Sequence, residues 1–302
     1  MHRPNRWLPR PLSVLAVAAV AVVGVAGCGG GGKKTSTSIS KVGTNAKIAG
    51  EVPAAVKKKG TLTVAADATY PPNEFTAPNG KTVIGMDADL AVVLTKVMGL
   101  KAKVVNAPFD SILPGLKAGK YDLGMSSFTD TKEREKTVDF VTYLVTGTEF
   151  YVKAKGGPTI NTLADLCGHT VAVEKGTTQQ DDSTAQVKKC KAAGKPADKV
   201  LVFPDQNGAN LALSSGRAEI SMADSPVADY IVKKSSGRFK VVGKVYGTAP
   251  YGIAIPKHNG MGRPILDALK ELMSKRTYTA ILKKWGIHHF AIKHPTVDGA
   301  VS

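Results

Sequence analysis

No fixed-spacing catalytic signature occurs in this chain. There is no GxSxG elbow, no HExxH helix and no phosphate-cradling GxxxxGK[ST] loop, so elbow-type hydrolysis, zinc proteolysis and P-loop nucleotide chemistry lose their usual supports. Cysteine occurs three times in 302 residues, too sparsely for a disulfide scaffold or a cysteine-rich metal centre. Acidic residues are also short, 24 against 41 basic, for a net charge of +17. That balance raises nucleic acid as a partner. The lysines are scattered in pairs ("VKKKG", "VKKC", "VKKSS", "LKKWG") without an arginine-rich run or interleaved aromatics, which argues against it. His288, His289 and His294 are too loosely spaced for a metal site, so no metal or cofactor is expected.

What is present begins with a leader. Arg3, Arg6 and Arg10 precede the apolar run "LSVLAVAAVAVVGVAG", shorter than the ~20 residues of a membrane-spanning helix. The run ends in "VAGC". This is similar to the lipobox of bacterial lipoproteins, which implies a signal peptide over residues 1–28 and a lipidated (palmitate-bearing) Cys28, the alternative being a secretory signal with an incidental cysteine. Residues 29–50, opening "GGGGKKTSTS", read as a flexible tether that buries too little apolar surface to fold. The chain is then expected on the outer face of the cytoplasmic membrane, where a diffuse positive surface suits anionic neighbours. With Cys28 taken by lipid, Cys167 and Cys190 most simply pair in an oxidising compartment; two separate buried thiols are the alternative.

From Glu51 onward the pattern is α/β. "GTLTVAAD" (60–67) reads as a buried strand, and "GMDADLAVVLTKVMGL" (85–100) places Leu90, Val93, Leu94, Val97 and Met98 on one helical face before the stop at Gly99. An internal echo then sets "LKAGKYDLGMSS" (116–127) above "LSSGRAEISMAD" (213–224), aligning Asp122 with Glu219 and Ser127 with Asp224. "GTLTVAAD" echoes "GHTVAVEK" (168–175) in the same way. Two similar α/β lobes are expected. Ligands of open parallel sheets sit beyond the carboxyl ends of strands, so Asp67, Ser126, Ser127, Glu174 and Asp224 should face one cleft.

Six stretches in order, "YPPNEF", "GMDADLAVVLTKVMGL", "FDSILPGLKAGKYDLGMSSFTDTKEREKTVDF", "DLCGHTVAVEKGTTQ", "SGRAEISMADSPVADY" and "YGIAIPK…YTAILKKWG", resemble the polar amino-acid substrate-binding proteins of ABC importers (solute-binding family 3), from about Thr61 to Gly286. The resemblance implies two lobes on a two-strand hinge, the type II periplasmic-binding-protein-like fold. Residues 51–146 and 250–302 would form lobe 1 and residues 147–249 lobe 2. The crossings would fall near Leu144–Thr148 and Gly247–Tyr251. It implies a monomer delivering a free amino acid to a membrane permease.

The same resemblance assigns the site. Arg134 matches the arginine that forks onto the ligand carboxylate, chemistry that a planar guanidinium suits; Ser127 and Thr129, with Ser126 beside them, match the neutral contacts. Thr177 and Thr178 should open a helix whose N-terminus favours an anion. Asp224 matches the ammonium grip, against the simpler reading of a helix N-cap before Pro226. Tyr70 and Phe109 match aromatic walls. Asp67 matches a side-chain contact, and Glu174 stands where relatives carry lysine or an apolar residue; two carboxylates there favour a cationic ligand. Asn73 replaces a common aromatic, with Glu74 next to it, so Asn73 in the pocket would imply a larger or more polar ligand. The rival activity is an exported cyclohexadienyl or arogenate-type dehydratase, with Glu174 as its general acid.

Overall fold

The computed structural model describes residues 41–301; the leader, Cys28 and most of the expected tether lie outside them. Eleven strands carry the architecture: β1 Thr61–Ala66, β2 Thr69–Tyr70, β3 Glu74–Thr76, β4 Val83–Ile84, β5 Lys101–Asn106, β6 Leu123–Gly124, β7 Val138–Lys153, β8 Thr170–Glu174, β9 Lys199–Phe203, β10 Ile220–Asp224 and β11 Phe239–Pro256. One sheet runs in the order β5-β1-β6-β11-β7-β10-β8-β9, and β2-β3-β4 form a small second sheet. β1 is parallel to β5 and β6, and β8 is parallel to β9 and β10. Only β7 and β11 run through both halves, which makes the molecule two α/β lobes on a two-strand hinge.

The echo in the sequence has a physical basis. Asp122 accepts from the amide of Thr63 at 2.7 Å, and Glu219 accepts from the amide of Thr170 at 2.9 Å. Each acid, standing directly before β6 or β10, thus ties that strand's opening to an amide of its lobe's central strand. Counting on from those tied positions puts Asp67 at the end of β1 and Glu174 at the end of β8.

The helix Met86–Val97 buries Leu90, Val93, Leu94 and Val97 against the larger core, and Gly99 ends the turn at φ 73°. The expected tether needs a correction at its end. Residues 41–50 are folded: Val42 and Ile48 are buried, and the helix Ala46–Glu51 is N-capped by Asn45, whose amide also bonds Glu271. Enough apolar side chains interrupt the polar run there to dock it on the helix Gly262–Ser274.

The crossing is asymmetric. Seven steps of β11, Val242 to Ala249, lie opposite four steps of β7, Phe150 to Thr146. The surplus bulges at Gly243 (φ 73°) and Gly247 (φ 61°), conformations that glycine adopts without strain. Cys167 and Cys190 are disulfide-bonded, 23 residues apart. Among the described residues no helix is long and apolar enough to cross a membrane, and no group of three or more His, Cys, Asp or Glu could hold a metal.

Candidate functional site

Between the lobes, at the carboxyl ends of β1, β6, β8 and β10, lies a narrow cavity. Asp67, Tyr70, Phe109, Ser126, Ser127, Thr129, Arg134, Glu174, Thr177, Thr178 and Asp224 all line it, joined by Glu74 and Gln179.

Arg134 sits in a single helical turn, Lys132–Glu135, capped by the Thr131 hydroxyl. Its guanidinium donates to the carbonyl of Thr129 at 2.8 Å and, across the cleft, to that of Gly176 at 3.0 Å. It also rests 5.5 and 5.6 Å from the rings of Phe109 and Phe128, which stack on each other. Cation–π contacts of this kind hold the fork in one plane. A second bridge between the lobes, Lys175 to Asp110 at 2.7 Å, lies beside it.

Asp224 ends β10 and stands at the N-cap position of the helix Ser225–Lys234 without making a side-chain cap bond. Its carboxylate instead accepts from Gln179 Nε2 (3.0 Å) and Tyr70 Oη (3.0 Å), and its amide donates back to Tyr70 Oη at 2.9 Å. Burial pushes the acid up, while bonds from Tyr70 and Gln179 and the Arg134 charge oppose that. Tyr70 therefore joins lobe 1 to Asp224 in lobe 2.

The two serines turn inward. Ser126 and Ser127 donate to opposite oxygens of Glu74 (3.3 and 3.1 Å), and Ser127 accepts from Asn73 Nδ2 at 2.9 Å. Ser127 holds φ 51°, and its amide donates to Asp87 at 3.0 Å. Burial, with the nearby Asp87, holds Glu74 well above the usual carboxylate range.

Asp67 is also committed, since Thr69 Oγ1 (2.6 Å) and the Phe109 amide (3.0 Å) occupy its two oxygens. Glu174 is different. It is 3% exposed, and its Oε1 has no hydrogen-bond partner. Burial pushes it well above its ordinary pKa, and Asp67, Asp205, Asp224 and Asp110 push the same way. An unpartnered buried carboxyl among like charges is costly, and a cation removes the cost.

Residues 62–288 match the bacterial extracellular solute-binding proteins, family 3. The chain belongs to this family. It is 35% identical over 237 residues, 78% of this chain and 77% of the relative, to an arginine-binding protein of Corynebacterium glutamicum. It is 29% identical to an L-cystine-binding protein of Escherichia coli, over 76% of this chain and 84% of that one. Among solved structures, an ancestral arginine-binding protein bound to arginine superposes with a TM-score of 0.68 at 38% identity, covering 75% of this chain and 98% of that one. Membership in an extracellular family makes this an exported protein.

For this family 3 chain, a question that the sequence left open, whether Asn73 lines the pocket, has an answer. Asn73 does not line the cavity; it is fully buried behind Ser127, and Glu74 takes the lining position. Glu74 and Gln179 were missed as lining groups. Gln179 had a signal, since it follows Thr178 in the first turn of the helix Thr178–Ala192. Thr177 spends its hydroxyl on that helix, accepting from Gln180 and donating to the carbonyl of Glu174.

Proposed function

We propose that this chain is the receptor of an ABC importer for a basic amino acid, arginine first, held between the lobes. The observation that carries the reading is Glu174, a buried carboxyl without a partner for Oε1 in a cavity that also holds Asp67 and Asp224 and a single arginine. A neutral zwitterion leaves that excess of acid unanswered; a guanidinium or ammonium side chain answers it.

In this reading Arg134 and the helix N-terminus at Thr177 and Thr178 take the ligand carboxylate. Asp224, with Ser127 and Thr129, takes the ammonium. Tyr70 and Phe109 flank the carbon chain, Ser126 fixes the floor through Glu74, and Glu174 meets the distal cation beside Asp67. Lobe 2 is residues 147–249, and lobe 1 is the rest of the folded chain. The protein acts as a monomer without a cofactor. A lipid on Cys28 after signal-peptide removal holds it at the membrane beside its permease.

Calorimetry on residues 33–302, refolded once to strip carried-over ligand, tests this with L-arginine, L-lysine, L-ornithine, L-histidine, L-glutamine and L-cystine. Arginine binding near micromolar, about −8 kcal/mol, is expected, with glutamine and cystine at least tenfold weaker. Cystine or glutamine binding more tightly than every basic amino acid overturns the specificity. Glu174 is also the acid that a dehydratase would need, so release of a dehydrated product from arogenate would replace the receptor reading with the enzymatic one.

A further inference from the structure

The family match stops at residue 288, yet the folded chain continues along β7. In lobe 1 β7 has β11 on one side only, and a bare strand edge is a row of unpaired amides and carbonyls. Residues 291–298 cover that edge: Leu144 bridges to Ala291 and Val141 to Val297. The Phe140 amide donates to Asp298 Oδ1 at 2.8 Å, the Asp298 amide returns to the Phe140 carbonyl at 3.0 Å, and the Thr142 amide donates to the Thr296 carbonyl at 2.9 Å.

The segment then leaves β7 with Asp298 at φ 49°. The Gly299 amide donates to Asp130 Oδ2 at 2.8 Å, and the Ala300 amide to Glu135 Oε1 at 3.1 Å. Asp130 and Glu135 bracket Arg134. The fit is close, because a Cβ on Gly299 would lie 2.6 Å from Thr296 Oγ1 and 2.8 Å from Thr142 Cγ2. A helix of one turn cannot hold itself in water, and here both its flanks are gripped from outside.

We propose that residues 291–300 form a positioning strap that fixes the turn carrying Arg134 and ties it to β7 just before the hinge, so that the guanidinium is set before a ligand arrives. The ligand side of this rests on Arg134 as the carboxylate group; the mechanical side does not.

The test compares the intact chain with one lacking residues 294–302 and with Asp298→Ala and Asp298→Asn, all without ligand, by amide hydrogen exchange. Exchange at Glu135 and Thr137, whose amides bond within the Arg134 turn, should quicken at least tenfold in the deletion and in Asp298→Ala. Asp298→Asn keeps the Oδ1 acceptor and should exchange like the intact chain. Amides of β8 in lobe 2 should not change. L-arginine affinity should fall about tenfold in the same two variants, and the fall should vanish on an Arg134→Lys background. Unchanged exchange at Glu135 and Thr137 overturns the strap. Unchanged exchange of the turn with an affinity loss does so too, because the loss then has another route. If the intact chain ignores L-arginine, the ligand reading fails while the exchange arm still decides the strap.

Discussion

Arg134 of lobe 1 donates to the carbonyl of Gly176 in lobe 2 at 3.0 Å, so the proposed carboxylate fork also ties the closed lobes together. A lysine keeps the charge and loses the two-pronged geometry. Arg134→Lys should weaken L-arginine binding by roughly 1.5–3 kcal/mol, tenfold to a hundredfold, as for a charged hydrogen bond. Calorimetry on a variant with an unchanged melting temperature checks it.

Glu174 predicts a proton count. Without ligand its folded-state pKa is raised by burial and by four neighbouring acids; a cationic side chain favours the ionised form. Binding then releases a proton between the ordinary glutamate value, about 4.3, and the raised one, and L-arginine affinity climbs as pH rises through that window. Titrations in two buffers of different ionisation enthalpy should count close to one proton. Glu174→Gln should abolish both the release and the slope, and cost at least tenfold at neutral pH.

Glu149 on β7 gives a stability effect apart from the site. Burial, with Asp229 nearby, raises it from 4.5 to about 7, and its Oε2 has no partner. A carboxyl whose folded pKa is raised binds its proton more tightly when folded, so its contribution is full below the unfolded value and is lost as pH rises through about 7. Glu149→Gln should therefore match the parent in acid and exceed it above pH ~8 by on the order of 1 kcal/mol. Paired denaturant melts at the two pH values measure this.

Replacing Cys167 and Cys190 by serine opens a loop of 23 residues and should cost about 3 kcal/mol. Ligand affinity should hold, because neither residue lines the cavity. Loss of binding in a folded double variant would contradict this.

The lobes were legible because Asp122 and Glu219 repeat one job at two strand openings, and a repeated job leaves a repeated pattern. The cleft followed from strand ends, which is why Asp67 and Glu174 could be placed without coordinates. Asn73 was not legible. Asn73 stands just before three-residue β3, where no alternation says which of Asn73 and Glu74 faces the cavity, and the answer came from Ser127 bending inward at positive φ. The direction of the serine hydroxyls and the unpartnered Oε1 of Glu174 depend on contacts between segments far apart in sequence. The strap was missed for the same reason: "TVDGA" has no periodicity, and its worth lies in the amides it presents to Asp130 and Glu135.

The unequal crossing strands bear on what kind of joint this is. From Val242 to Ala249 the spare length is in β11, opposite Gly147, where a Cβ would lie 2.5 Å from the Tyr246 carbonyl; beyond it, between Leu144 and Thr142, β7 carries the extra residue. Two crossing strands, each irregular at a different point, suit a hinge in which a few residues absorb the angle change. In the proposed receptor, occupancy of the cleft would be reported as a change of lobe angle, a signal that a docking protein can read without touching the ligand.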